Sequence, residues 1–552
     1  MTGHLFVIDG DLTKLACDAI LIPTDESFKI EPEWRVIKSA HRAQIAELRR
    51  EAPHSWGGHR TLHLDQRQKH PWVWLANVGQ LGHRRSFADA FKPAVTEFVE
   101  RAAKSLKADS RYRIHDWPIP RIAVNLIGSG RGGGSQRKGD LVGGLVRSLD
   151  CLAKDNGVDI VLVTFGAKQY AAAQRARRQL IGVDDDALEA HWPLTSPRRA
   201  ELISCGRELA SKAVRSHLVL FLGAGCSSGA GLPLWNALLG RLANSAGIPE
   251  ESLRLLSEKD PRDQASIVES RMAKGGRSIN ELKNEVAREL DSRYYTLLHG
   301  LLASLPSSEA VTTNFDCLFE AAWSTRGRQV TVLPGVSSVG GRWLLKLHGS
   351  VEEPEKIILT RSDYLDMPRR HGALMGLVQG MLMTRHMMFV GYSLRDEDFH
   401  ELIYEVRAAV GDRADSSALA TILTVHEDDL EEDLWGHDLH IVAMAGPKKN
   451  GVDPLAARQL EIFVDLVAYL STTSLAFFLD ETYDEISEGE NDLRKTLRQL
   501  AFDTKDKAED TVAFRVAQFL RDEFGADVTD VEPPITPTGS VGARGQAHPR
   551  RG

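Results

Sequence analysis

The sequence predicts an α/β protein: two three-layer α/β domains in succession, followed by a helical C-terminal region. Three observations lead there. Short apolar runs alternate with longer polar stretches of helical character through residues 1–446, the rhythm of strands joined by crossover helices. Several runs end abruptly in Gly, Asn, His or Ser, as where a parallel sheet presents functional groups at the carboxyl ends of its strands. A chain of 552 residues is also too long for a single core.

The first domain, residues 1–195, has its strand-like runs at His4–Ile8, Ala19–Ile22, Trp72–Leu75, Ile122–Ile127 and Ile160–Phe165. Leu194–Arg199, with Thr, Ser, Pro and paired Arg, reads as a linker. The second domain, 200–446, opens on the buried-strand run His217–Leu222. Residues 235–305 lack strand signals and predict a helical insert, in which Trp235, Leu238, Leu239 and Leu242 share one face at i, i+3, i+4, i+7. After the strand-like His440–Ala443 and the turn-rich Pro447–Gly451, Asp453 and Pro454 read as the N-cap and first-turn proline of an amphipathic helix to about Tyr469. Charged helical sequence completes a C-terminal region over 453–528, and residues 531–552, without apolar periodicity, predict a disordered tail.

A hydrophobic content of 42%, a charged content of 26% and a net charge of −8 describe an ordinary globular protein and give no support to a dominant nucleic-acid function. No apolar stretch approaches the ~18–20 residues that span a bilayer. The N-terminus does not read as a signal peptide, so a cytoplasmic protein with no membrane partner is expected. Cys17, Cys151, Cys205, Cys226 and Cys317 form no C-x-x-C pair, so neither a zinc site nor a disulfide framework is expected.

Four blocks carry the candidate chemistry. In Val219–Ser227, the turn Gly223-Ala224-Gly225 follows a strand and brings backbone N–H groups to a pyrophosphate. Read locally, the same turn serves tight packing or an ordinary dehydrogenase fingerprint equally well. In Thr312–Asp316, Asn314 and Asp316 either cap the following helix or place polar groups against charge that develops during bond cleavage. In Leu345–Ser350, His348 ends an apolar run, and Gly349 removes bulk beside the ring where a ligand would approach. An imidazole accepts a proton near neutral pH, although a lone histidine by a strand is equally a structural residue. In Met388–Asp396, Gly391 and Ser393 end another buried run, with Asp396 and Asp398 as caps of the next helix.

Together and in this order the blocks resemble the sirtuin-like family, Gly223–Pro233 fitting its Gly-Ala-Gly-x-Ser-x-x-Ala-Gly-x-Pro pattern. The resemblance covers roughly 205–445 and implies a Rossmann-like domain that breaks the nicotinamide–ribose bond of NAD. It implies that Asn314 contacts the nicotinamide ribose and positions water, that His348 takes a ribose hydroxyl proton, and that Asp316 lies near the carboxamide. Gly223, Ala224, Gly225, Ser227, Gly391 and Ser393 would hold the dinucleotide, with NAD as substrate and no metal. Two departures separate this chain from lysine deacylases: Pro233-Leu234-Trp235-Asn236 stands where they carry Pro-Asp-Phe-Arg, and no cysteine follows Cys317 to build their zinc module. The pattern is instead similar to the prokaryotic sirtuin-like NAD hydrolases of antiphage defence, of the Thoeris-effector type, which share the stretch seen here as Ile357–Tyr364. That implies an NAD+ glycohydrolase releasing nicotinamide and ADP-ribose, and NAD depletion that halts the infected cell. It also implies a homo-oligomer, here expected to use the apolar segment Leu460–Phe478, and a phage-derived or operon-encoded activator. The alternatives are an NAD-dependent deacylase and a non-catalytic NAD or ADP-ribose sensor scaffold.

In the first domain, Gly10-Asp11-Leu12-Thr13 and then Asp18–Ile22 resemble the opening of a macrodomain, an ADP-ribose-binding module. Ile122–Ile127 runs into Gly128-Ser129-Gly130, where a macrodomain holds the diphosphate on backbone amides. The resemblance implies that Asp11 contacts adenine and that an ADP-ribose-like signalling ligand regulates the protein. Pro23-Thr24-Asp25 replaces the macrodomain's Asn-Ala-Ala-Asn, which points to sensing rather than hydrolysis. A glycine loop on a generic α/β domain is the local alternative.

Overall fold

Two sheets organise the chain. The structure, a computed structural model, describes residues 1–64, 71–79, 87–109, 117–128, 137–194, 198–278, 280–324, 329–335, 341–394, 397–411, 418–448, 453–505 and 507–525. The first sheet contains β1 (Leu5–Asp9), β2 (Ala19–Thr24), β3 (Thr61–His63), β4 (Trp72–Asn77), β5 (Arg121–Asn125) and β6 (Asp159–Thr164), in the order β1-β6-β5-β2-β4-β3. Its pairs are parallel except for the short edge pair β3–β4. The second contains β7 (Leu218–Leu222), β8 (Glu309–Thr312), β9 (Val330–Leu333), β10 (Arg342–Lys346), β11 (His386–Val390), β12 (Ala420–His426) and β13 (Leu439–Ala445). All its pairs are parallel, in the order β13-β12-β11-β7-β8-β10-β9.

Side-chain alternation along each strand divides the apolar residues into three layers of core. Leu5, Val7, Leu21 and Leu162 face the helices Lys92–Ala108, Lys138–Asn156 and Ala167–Ile181 on the outer side of the first sheet. Val219, Phe221, Leu345 and Phe389 face Arg361–Thr384 and Glu397–Val410 on the outer side of the second. Between the sheets, Phe6, Ile8 and Ile22 of one and Leu220, Leu222 and Met388 of the other belong to a single apolar cluster. It is filled by the helices Arg199–Val214, Leu297–Ala303 and Pro454–Ser471.

The helix Pro454–Ser471 begins as the sequence predicts, with the Asp453 side chain accepting from Leu455 N and Ala456 N and proline in the first turn. Its surroundings differ from the expectation. Leu460, Ile462, Phe463, Val464, Leu466 and Val467 are buried on all sides, and so are Phe477 and Phe478 beyond the helix. Each such side chain contributes roughly 1.5–3 kcal/mol by leaving water. Most apolar side chains of Leu460–Phe478 are therefore interior and do not offer the expected self-assembly face; both sheets need their inner faces covered, and the helix Pro454–Ser471 covers them.

Charged groups of the same helix anchor it to the first sheet. Asp465, fully buried, accepts from Arg177 Nη1 (2.9 Å) and Nη2 (2.6 Å), and from Trp192 Nε1 (3.1 Å), with His4 Nε2 at 2.9 Å. Burial alone would raise this carboxyl, but the Arg177 charge and the hydrogen bonds from His4 and Arg177 outweigh it and hold it at about 2. Arg458 forks onto Asp159 (2.7 and 2.8 Å), and Arg121 pairs with Glu461.

Trp235–Ser245, Glu250–Ser257, Pro261–Lys274 and Glu281–Glu289 enclose a separate small core that includes Leu238, Leu239, Leu242, Val268 and Val286. Leu297–Ala303, by contrast, is wholly buried and belongs to the central layer. The expected tail 531–552 and parts of the expected linker and 447–451 turn lie outside the described residues. Among the described residues no helix is long and apolar enough to cross a membrane.

Candidate active site

Strand order puts the four blocks side by side. β11, β7, β8 and β10 are neighbours in that order, and Gly391, Gly223, Asn314 and His348 follow their respective carboxyl ends. The connections leave β7 toward β8 on one side and return to β11 on the other, which is the crossover point where open α/β sheets bind ligands.

The glycines are required by close backbone approach. A Cβ on Gly223 would lie 2.4 Å from Gly391 O, and one on Gly225 2.8 Å from Gly391 Cα. Gly391 itself has φ +65°, a left-handed conformation that favours glycine. Backbone bonds Gly223 N→Val390 O (2.9 Å) and Gly225 N→Gly391 O (2.8 Å) lock the two turns together. Tight packing thus accounts for these glycines directly. The expected helix does not start at the turn: Ala224–Ala230 is 3-10, and the helix Trp235–Ser245 follows later.

The buried polar groups form one cluster. Asn314 Nδ2 donates to Gly223 O (3.1 Å) and to Ser227 Oγ (3.3 Å). Ser227 Oγ donates in turn to Asp316 Oδ2 (2.8 Å), while Asp316 Oδ1 accepts from Leu318 N (3.0 Å) at the start of the helix Leu318–Trp323. Asp316 therefore takes the first N–H of that helix and holds Ser227 at once. Segment 347–351 runs beside this turn, pinned by Leu347 N→Thr312 O and Val351 N→Phe315 O, both 2.9 Å. His348, buried to 5% exposure, sits between those two bonds, its ring edge-on to Tyr364 with centroids 5.4 Å apart. Gly349 has φ +91°, and the space beside it is filled by the chain itself: a Cβ would lie 2.8 Å from Lys356 O. The ligand-approach argument for Gly349 is thereby replaced by packing of residues 356–358, whose Ile358 N bonds His348 O (2.9 Å).

Residues 357–364 fasten the insert to the site. Ile357 and Leu359 pack in its small core with Phe315, Lys283 Nζ meets Asp363 at 2.9 Å, and Arg361 forks onto Asp263 (2.8 and 2.9 Å). Ser393 is exposed at the end of the β11 block. Asp396 and the Asp398 side chain lie outside the described residues. Among the described residues no cluster of three His, Cys, Asp or Glu has a metal-holding arrangement.

Sequence reasoning did not single out Lys346, Glu320 or Thr296. Lys346 had a legible signal, a lone cation inside the apolar run Trp343–Leu347. Thr296 caps Leu297–Ala303 and also donates to Cys226 O (3.0 Å) in the glycine turn. Next to it Tyr295 Oη accepts from Asp11 N (2.8 Å) and donates to Asp11 O (2.9 Å). The first-domain candidates are thus partly committed. Asp11 Oδ1 accepts from Thr13 N (2.9 Å) and Thr13 Oγ1 (2.7 Å), and Gly128 (φ +86°) packs on Phe91, whose Cζ a Cβ would meet at 2.4 Å. Ser129 and Gly130 lie outside the described residues.

Comparison with known proteins bears on the second sheet. Residues 308–444 match the family model described as a SIR2-like domain. The chain carries a SIR2-like domain. It is 25% identical over 213 residues to the NAD(+) hydrolase ThsA of Bacillus cereus (strain MSX-D12), covering 37% of this chain and 42% of that protein. It is 27% identical over 198 residues to the NAD(+) hydrolase ThsA of Acinetobacter baumannii (strain 532279), covering 35% of this chain and 39% of the other. Defense-associated sirtuin 2 of Bacillus subtilis is 25% identical over 216 residues, 37% of this chain and 21% of its own length. The chain therefore spans about two fifths or less of the curated relatives it matches. The family match does not extend to residues 1–195, whose macrodomain likeness rests on its motifs.

Proposed function

We propose that this protein is an NAD+ glycohydrolase that cleaves NAD+ to nicotinamide and ADP-ribose as an effector of bacterial antiphage defence. The observation that carries the reading is the buried cluster Asn314–Ser227–Asp316, set beside His348 at the crossover point of a parallel sheet in a SIR2-like domain. The names of the relatives, NAD(+) hydrolase and defense-associated sirtuin, agree with it.

In this reading the glycine turns at 223–225 and 391 and Ser393 hold the dinucleotide. Cleavage of an N-glycosidic bond passes through an oxocarbenium-like state, so groups that stabilise and orient matter more than a strong nucleophile. Asn314 Nδ2 is engaged by Gly223 O and Ser227 Oγ, and in this reading Oδ1 is the atom that meets the nicotinamide ribose and an attacking water. Nicotinamide leaves with the bonding pair as a neutral base. His348 takes a ribose hydroxyl proton as charge develops and returns it to that oxygen once the water oxygen has bonded to the ribose carbon, and the one proton lost by the water passes to solvent. Asp316 acts chiefly by holding Ser227.

The first domain is the regulatory unit in this proposal, binding an ADP-ribose-like ligand near Asp11 and Gly128. The physical link is short: Tyr295 clasps the Asp11 backbone, and adjacent Thr296 holds Cys226 in the glycine turn. A homo-oligomer, a phage-derived or operon-encoded activator and a cytoplasmic location complete the proposal, with assembly through surfaces other than the interior 460–478 segment.

The test is NAD+ consumption by purified protein, with chromatography of products. Nicotinamide release that does not need an acylated peptide and disappears in Asn314→Ala is the expected result. Release only with an acylated peptide would support the deacylase alternative instead.

A further inference from the structure

Lys346 ends β10 two residues before His348 and is 2% exposed, beside the buried apolar residues Leu344, Leu318 and Phe319. Strand alternation places it with Leu344 on the inner face, over the helix Leu318–Trp323. An ammonium has three hydrogens, and three oxygens meet them: Asp316 O (2.5 Å), Glu320 Oε1 (2.7 Å) and Phe315 O (3.3 Å). Burial opposes this charge, but the Glu320 carboxylate more than offsets it and keeps the side chain protonated. Cys317 Sγ lies farther off at 3.8 Å, and two of the three oxygens are main-chain carbonyls of the turn that carries Asn314 and Asp316. The third lies one helical turn onward.

We propose that Lys346 is a positioning residue of the NAD-cleaving site, holding the Asn314–Asp316 turn in register with His348 without itself touching the substrate. The inference rests on the hydrolase reading above. A neutral apolar side chain would fill the same space, yet it would take the ammonium from Asp316 O, leave Phe315 O with Val351 N alone, and free the Asp316–Cys317 peptide to rotate. Ser227 would then lose its aligned acceptor on Asp316, and Asn314 its fixed approach to Gly223 O. The dinucleotide-holding turns at 223–225 and 391 are locked to each other by their own backbone bonds, so substrate binding does not depend on Lys346.

The test uses the full chain and separates kcat from KM for NAD+. Lys346→Met strands Glu320, so Lys346→Met with Glu320→Leu is made as well; removing both charges avoids a buried unpaired carboxylate. Ile422→Ala, a core truncation on β12 away from the site, serves as a stability control. A misplacement of about 1 Å at a reacting group costs about 100-fold in rate. The expected result is a kcat fall of that order in the double variant, with KM within about threefold, while Ile422→Ala lowers Tm but keeps kcat. A folded double variant with kcat near that of the unmodified protein, or one altered only in KM, would overturn the inference alone. Absence of NAD+ turnover in the unmodified protein would overturn the hydrolase reading and this inference together.

Discussion

Substituting Arg177 tests how the first sheet is held to the helix it shares with the second. Arg177 is 2% exposed and gives two hydrogen bonds to Asp465 and one to Leu5 O (2.7 Å). Its guanidinium also lies over the Trp192 ring, 4.8 Å from the centroid. Arg177→Met keeps the stem and removes the charge, leaving the fully buried Asp465 with His4 and Trp192 as donors. Breaking a buried pair in this way costs about 3–5 kcal/mol, against a total stability of about 5–15 kcal/mol for an ordinary domain. Removing both charges, in Arg177→Met with Asp465→Leu, should regain much of that loss, because no buried charge is then left unpaired. The assay is urea denaturation at pH 7 of the four proteins, read as a double-mutant cycle. A coupling of at least about 2 kcal/mol is expected. Additive single losses, or a loss below about 1 kcal/mol for Arg177→Met, would refute the reasoning. Because the Asp465 carboxyl is held at about 2, its contribution is present above the unfolded value of 3.8 and disappears as pH falls through 2.

Three further outcomes are expected. Burial lowers His299 to about 4 against a nearby Asp316 that favours the charge, and burial likewise lowers His386 to about 4; both bind a proton more readily unfolded. Stability should therefore fall as pH drops from 6.5 toward 4, by about 2 kcal/mol per histidine at pH 5, and a Tm that stays flat from pH 7 to 5 would contradict this. Gly391→Ala places a Cβ at φ +65° and 2.5 Å from Cys226 N, so NAD+ binding by calorimetry should be lost with a lowered Tm; unchanged affinity would show the two turns are not locked. Tyr295→Phe removes the hydroxyl that clasps Asp11, costing about 1–3 kcal/mol and weakening any effect of added ADP-ribose on NAD+ turnover; an undiminished effect would remove Tyr295 from the regulatory link.

Much of the architecture was legible from periodicity. The five first-domain runs are strands within a residue or two, because strands buried on both faces leave long aliphatic signatures. The edge strands Thr61–His63 and Val330–Leu333 and the threonine-bearing Ala420–His426 were not, since short or half-exposed strands carry weak patterns. At the site, the positions of Asn314, His348, Gly223 and Gly391 followed from runs ending in those residues. Their partners did not: that Asp316 meets Ser227, or that Lys346 meets two carbonyls of a turn, depends on which strands lie adjacent. The misreading of Leu460–Phe478 has the same origin. An apolar helix face announces burial, but the sequence does not say whether the cover is a second copy or, as here, the chain's own two sheets.

NAD+ turnover by the purified protein, measured beside Asn314→Ala with chromatographic identification of the products, decides whether this protein is an NAD+ glycohydrolase. Nicotinamide and ADP-ribose are expected from the unmodified protein and neither from the variant. Equal turnover in both, or NAD+ that binds and stays intact with every added ADP-ribose ligand, would contradict this.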